Sequence, residues 1–252
     1  MSYEPGISFD ESNINDLLQN EVDEDADGIC DESDFKFSFE FLNYLFFSIG
    51  DRGERDEAQL LSTPNGKVHR IHDDGTIPKD NPFKDENSEI SSMWTYGNRN
   101  PQGLAIHPSS GQIWSTEHGP RGGDELNIIK RGINYGWPVI TYGINYSGTS
   151  ITDLTEKEGM EQPIWHWTPS IAVCGIEFYS GNSFQHWNDD LLVTSLKFER
   201  LHRVVLLGNR KIDEEIIFEA GSRVRDVEVG PDGFIYVALE NPGRIVVLRP
   251  LD

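Results

Sequence analysis

RDVEVGPDGFIYVALE, residues 225–240, holds most of one structural unit. Val227 and Val229 alternate with polar neighbours, the period-2 pattern of a half-buried strand. Pro231-Asp232-Gly233 then supplies a turn, and Phe234–Leu239 returns as an apolar strand. A third strand follows in GRIVVLRP, residues 243–250. Upstream, the same sentence recurs. GIEFYSG and DLLVTSLKF are followed by LHRVVLLGN and EEIIFEA. GLAIHP and QIWSTEHG are followed by DELNIIKRG, and FKFSFEF and YLFFSIG by GKVHRIHDDG. YLFFSIG is a nearly continuous apolar run, which predicts a fully buried strand. Equivalent points fall near Phe39, Leu104, Ile176 and Val227, 65, 72 and 51 residues apart. Four-stranded units repeating at irregular spacing predict an all-β chain, a β-propeller with about four blades over residues 35–252. A β-sandwich would alternate too. The PDG-x-x-YV turn and the long inter-strand loops favour blades. Asp56–Leu61 reads as one short turn of helix, and residues 148–162 as a polar surface loop.

The 252 residues carry 21 Lys and Arg against 43 Asp and Glu, a net charge of −22. Phosphate backbones would be repelled, so non-specific nucleic-acid binding is not expected. The carboxylates suit divalent cations. Cys30 and Cys174 lack the spacing of a disulfide framework or a thiolate metal site. No apolar run is long enough to span a membrane, and the N-terminus lacks the basic and apolar regions of a signal peptide.

Residues 1–34 form an acidic leader. Ser8–Val22 could make one short amphipathic helix. In DEDADGICDESD, Asp23, Asp25 and Asp27 followed by Gly28 match the opening of a calcium loop, with Asp34 at the twelfth position. A disordered acidic segment is the competing reading.

Chemistry concentrates in Met93–Tyr142. Short apolar runs there are broken by turn residues and surrounded by Arg99, Asn100, Glu117, His118, Asp124, Glu125 and Asn127. Glu117-His-Gly-Pro-Arg-Gly-Gly-Asp-Glu125 offers carboxylates and free carbonyls, which is hard-cation chemistry. Arg223 and Arg225, one residue apart, share a face if they lie on a strand. With Lys197 and Arg99 they form a scattered cation set that would suit one anionic guest. His69 and His72 have no zinc spacing and read as strand residues. GxSxG, Walker and GxGxxG motifs are absent.

GNRNPQGLAIHP, STEHGPRGGDELNIIKRGINYGWPV, WTPSIA, LLVTSLK and SRVRDV together resemble the soluble aldose sugar dehydrogenases. These are pyrroloquinoline quinone (PQQ) enzymes of the glucose/sorbosone dehydrogenase family. The resemblance runs from about Tyr44 to Pro250 and implies a six-bladed propeller. It implies that Arg99 and Asn100 face the quinone, with Arg99 polarising it. Lys197, Arg223 and Arg225 would hold the cofactor's charged edge, and Trp167 and Ser170 would border its face. Gly119 and Pro120 would offer carbonyls to a Ca²⁺ on PQQ, and Glu125 and Tyr135 would bind a second, structural Ca²⁺. The implied reaction is hydride transfer from an aldose's anomeric carbon to the quinone, with an electron acceptor downstream and a periplasmic or secreted location.

Two departures stand out. Four units are legible where the family has six blades. The family's catalytic His precedes a GDRG motif; here GDRG is Gly50–Gly53, and the first His in the chain is His69. Impaired turnover is therefore expected, with a non-catalytic calcium-binding module or a truncated fragment as the alternative. Open blade edges would need cover from residues 1–43 or from a second copy of the chain.

Overall fold

The computed structural model describes residues 44–85 and 87–250, and the backbone of Phe35–Ser38. The chain divides into Met1–Glu32 and Ser33–Asp252, and all described residues lie in the second unit. The acidic calcium-loop segment, the helix over Ser8–Val22 and the repeat point at Phe39 lie outside the described residues.

Four antiparallel sheets follow one another along the chain. The first contains β1 (Phe35–Ser38), β2 (Tyr44–Ile49) and β3 (Lys67–His72). The second contains β4 (Pro101–Ile106), β5 (Ile113–Glu117), β6 (Asp124–Ile129) and β7 (Trp165–Trp167). The third contains β8 (Val173–Phe178), β9 (Leu191–Ser195), β10 (Arg200–Leu207) and β11 (Arg210–Glu219). The fourth contains β12 (Val224–Val229), β13 (Ile235–Leu239) and β14 (Arg244–Leu248). Within each sheet every strand pairs with the next in sequence. A short 3-10 helix covers Arg55–Gln59, close to the expected helical turn.

The turns explain the meander. Between β12 and β13, the Gly230 N–H donates to the Phe234 carbonyl at 2.9 Å. Asp232 accepts from the Phe234 N–H and from the Tyr236 hydroxyl, and Gly233 takes φ 75°. Asp followed by Gly is suited to such a turn, because Asp bonds the backbone two residues on and Gly tolerates positive φ.

Packing is sheet on sheet. Trp114, Leu126 and Ile128 of the second sheet meet Val173, Ile176, Phe178, Leu191 and Val193 of the third. Leu192 and Leu201 of the third sheet meet Val224, Val227, Ile235 and Val237 of the fourth. β9 is therefore buried on both faces, which is why LLVTS reads as a continuous apolar run. β2 differs from expectation. Phe46 and Ser48 are buried, whereas Leu45, Phe47 and Ile49 are only half-buried. Among the described residues the first sheet packs against the second alone, so one face of β2 has less cover.

The first strands of consecutive sheets touch: β1 with β4, β4 with β8, and β8 with β12. Gly103 and Gly175 permit this. A Cβ on Gly103 would lie 2.5 Å from the Cys174 carbonyl oxygen, and one on Gly175 would lie 2.0 Å from Asp226 Oδ1.

Candidate active site

Strand direction decides where the candidate side chains gather. Gln102 near the start of β4 lies beside Cys174 near the start of β8, with Sγ 3.9 Å from Oε1. His107, just past the end of β4, packs on Phe178 at the end of β8, with ring centroids 4.6 Å apart. β4 and β8 therefore run the same way. Gly175 of β8 abuts Arg225 and Asp226 near the start of β12, and Tyr179 just past β8 donates to the Gly233 carbonyl beyond the end of β12, which gives β12 that direction as well. Residues just before β4, β8 and β12 thus lie at one end of their sheets. Residues just after β5, β9 and β13 lie there too, because each of those strands is antiparallel to its partner.

Arg99 and Asn100 precede β4. The Arg99 guanidinium donates to the carbonyls of His118 at 3.1 Å and Gly119 at 3.3 Å, in the loop after β5. Ser170, ahead of β8, donates its hydroxyl to the Pro120 carbonyl at 3.1 Å. Lys197 follows β9; its N–H donates to the Ile171 carbonyl, and its side chain is exposed beside Phe198. Arg223 precedes β12 and Arg225 sits near its start. Both reach Glu240, just after β13, at 3.9 Å and 2.8 Å. The expected common face of the two arginines is present. Glu240 between them is a partner that spacing could not indicate. Trp167, at the end of β7, is buried in the core, and its indole N–H donates to Glu214 of β11 at 3.1 Å.

Beside Arg99 lies a cavity of about 10 Å³, room for one water-sized guest, lined by Arg99, Glu117, Gly119, Glu125, Tyr135 and Trp137 among others. Glu117 is 4% exposed. Its carboxylate accepts from Asn98 Nδ2 at 2.9 Å and from the Arg99 N–H at 2.8 Å. Burial pushes the Glu117 carboxyl well above the usual carboxylate range, and the charge of Asp51 adds to this. Burial also raises Glu125, reinforced by the charges of Glu117 and Asp124. Two carboxylates that resist ionising side by side mark a place where a cation would be welcome. The Tyr135 hydroxyl is already used: it donates to the Ile128 carbonyl at 2.6 Å and accepts from the Lys130 N–H. Only the Tyr135 main chain is left to act as a ligand. Asp124 is likewise occupied, accepting from the N–H groups of Gly119 and Val173. It staples the loop after β5 to β8.

The donor set fits the expected groups. Carboxylate and carbonyl oxygens around an atom-sized cavity suit Ca²⁺. Among the described residues no cluster of three or more His, Cys, Asp or Glu is placed to hold a metal. Ca²⁺ would therefore depend on the carbonyls. Arg99, Lys197, Arg223 and Arg225 bring guanidinium and ammonium donors to this end of the sheets, a set that suits a polyanion.

Sequence reading missed Asp51. Its Oδ2 accepts from the Trp137 indole N–H at 2.6 Å, and its N–H donates to the Arg99 carbonyl at 2.6 Å. The indole in turn lies 5.6 Å from each of the Arg99 and Arg55 guanidiniums. GDRG pointed to the Asp, but its partners lie far off in the chain.

The family model described as Glucose / Sorbosone dehydrogenase matches residues 27–247. The aldose sugar dehydrogenase YliI of Escherichia coli is 42% identical over 216 residues, covering 84% of this chain and 58% of that protein. The chain thus spans somewhat over half the length of this curated relative. A solved glucose dehydrogenase superposes with TM-score 0.82 at 40% identity, covering 86% of this chain and 64% of that one. The PQQ-bound aldose sugar dehydrogenase of Streptomyces coelicolor superposes with TM-score 0.68 at 27% identity, covering 85% of this chain and 60% of that one. The order of the sheets, the oxygen-lined cavity beside Arg99 and these matches agree: the chain belongs to the glucose/sorbosone dehydrogenase family.

Proposed function

We propose that this chain is a PQQ- and Ca²⁺-binding part of an aldose dehydrogenase whose four sheets are blades of a six-bladed propeller. The observation that carries the reading is the Arg99 guanidinium, held by the His118 and Gly119 carbonyls at the rim of a cavity containing two buried carboxylates. When bound, PQQ supplies the oxidising power, accepting hydride from the anomeric carbon of an aldose. Arg99 stabilises negative charge on an oxygen set against it, and its two carbonyl contacts hold it in place beforehand. Asn100 supplies an amide to the same ligand. Lys197, Arg223 and Arg225 anchor carboxylates, with Glu240 keeping the arginine pair aligned. Ser170 would border the ligand's face, whereas the Trp167 indole is taken up in the core by Glu214. The carbonyls of Gly119 and Pro120 would hold one Ca²⁺, and Glu125 with the Tyr135 carbonyl would hold another. The electron acceptor is separate, and the location is periplasmic or extracellular. Among the described residues no helix is long and apolar enough to cross a membrane.

The stretch directly ahead of GDRG, residues 34–49, holds no histidine. A positioned base contributes roughly 10²–10⁴-fold, so slow turnover is part of the proposal. The same observation favours a second reading, a non-catalytic calcium-binding module. Addition of PQQ and Ca²⁺ to the whole chain separates them. The first reading expects a raised melting temperature, a quinone absorbance change and weak aldose-dependent dye reduction that Arg99→Ala abolishes. Stabilisation by Ca²⁺ alone, with no response to PQQ, selects the second.

A further inference from the structure

Asn100 is one of two adjacent residues assigned to the ligand, and a primary amide can present either a donor or an acceptor. Its orientation is set by what holds its other end. Gln102 Nε2 lies 2.8 Å from Asn100 Oδ1. Gln102 is fully buried and Asn100 is 8% exposed. On the far side of Gln102, its Oε1 lies 3.9 Å from Cys174 Sγ, within reach of a thiol donor. Gly50 closes the same pocket: a Cβ there would stand 3.0 Å from Asn100 Oδ1. The Asn100 main chain is fixed too, because its carbonyl accepts the His118 N–H at 2.9 Å. Among the described residues, Asn100 Nδ2 donates to no oxygen.

The polarities form a relay. The Cys174 thiol donates to the Gln102 oxygen. This leaves the Gln102 NH₂ to donate, and it takes the Asn100 oxygen. The Asn100 NH₂ is then the group turned away from the protein interior. We propose that Gln102, itself set by the Cys174 thiol, is a positioning residue that fixes Asn100 as a hydrogen-bond donor toward an acceptor-rich anionic ligand. The proposal rests on the reading of this end of the sheets as the cofactor site. β4 and β8 must pack in their observed register for the relay to exist, and the glycine at 103 allows that approach.

The test uses the whole chain. In the cofactor-free protein, exchange of side-chain amide protons is followed by ¹H–¹⁵N NMR. The Gln102 NH₂ is expected to exchange at least tenfold more slowly than the Asn100 NH₂; equal rates or the reverse order overturn the relay. Gln102→Glu, studied at a pH where its buried carboxyl is ionised and can only accept, should make the Asn100 amide turn round and its NH₂ become the slow one. PQQ affinity, by titration in the presence of Ca²⁺, should then fall at least tenfold. Unchanged affinity in Gln102→Glu overturns the positioning role. Should Gln102→Glu fail to fold, Cys174→Ala and Cys174→Ser decide instead. Ala is expected to shrink the difference in exchange rates and Ser to restore it; identical behaviour of the two counts against the relay. If the unmodified chain does not bind PQQ, the functional reading fails, and the exchange pattern alone judges the relay.

Discussion

At the residue scale, the polar groups that matter are buried and committed. His69 is 2% exposed on β3. Its Nδ1 lies 3.0 Å from the Ser92 hydroxyl and its Nε2 lies 2.9 Å from the Pro64 carbonyl. The carbonyl can only accept, so the proton sits on Nε2 and the Ser92 hydroxyl donates to Nδ1. Burial lowers the imidazole to about 4. The unfolded chain, with His near 6.5, binds the extra proton over that interval and the folded chain does not. Stability is therefore expected to drop by roughly 3 kcal/mol as pH falls from 6.5 to 4. Urea unfolding of wild type and His69→Gln across that range checks it. Carboxylate effects are common to both proteins, so their difference should shrink toward acid pH; a constant difference would contradict the prediction. The reading of His69 as a strand residue agrees with its place on β3.

At the scale of elements, the sheets depend on close approach between first strands. Gly103 of β4 faces the Cys174 carbonyl at a distance that leaves no room for a methyl group, and Gly175 faces Asp226 in the same way. Both obstacles are on neighbouring strands, and one is main chain, so no side-chain rotation relieves the first. Gly103→Ala and Gly175→Ala are each expected to destabilise the fold by about 1–3 kcal/mol, the usual cost of overpacking. Thermal denaturation measures this, and Gly243→Ala is the contrast for crowding, since nothing lies within 4 Å of a Cβ there. A second inter-sheet tie joins β7 to β10 and β11. Glu214 accepts from Trp167 and pairs with His202 at 2.8 Å and Lys211 at 3.1 Å. These contacts outweigh the opposing effect of burial and hold its carboxyl down near 2.

For the whole molecule, charge is the dominant long-range quantity. A net charge of −22 makes the compact state repel itself. Raising NaCl from 10 to 150 mM shortens the Debye length from about 30 Å to about 8 Å. The melting temperature is therefore expected to rise by several degrees over that range. A flat or falling response would show that local ion pairs, such as Arg203 with Asp190, outweigh the global repulsion. Ca²⁺ at matched ionic strength should add a further increment if the cavity beside Arg99 takes a cation.

Strands, turns and their order were legible in the sequence because alternation and turn chemistry are local. Each depends on residues a few positions apart, as the Asp232–Phe234–Tyr236 turn shows. β7 was missed, since three residues after a long polar loop carry too little periodicity. The motif wording identified the family and named Arg99, Arg223 and Arg225. What those groups touch was settled only by folding. Asp51 and Trp137 are 86 residues apart, Gln102 and Cys174 are 72 apart, and Trp167 meets Glu214 across 47. Such pairs come from the stacking of separate sheets, where strand direction and two glycine contacts set the register. A one-dimensional pattern carries no term for that.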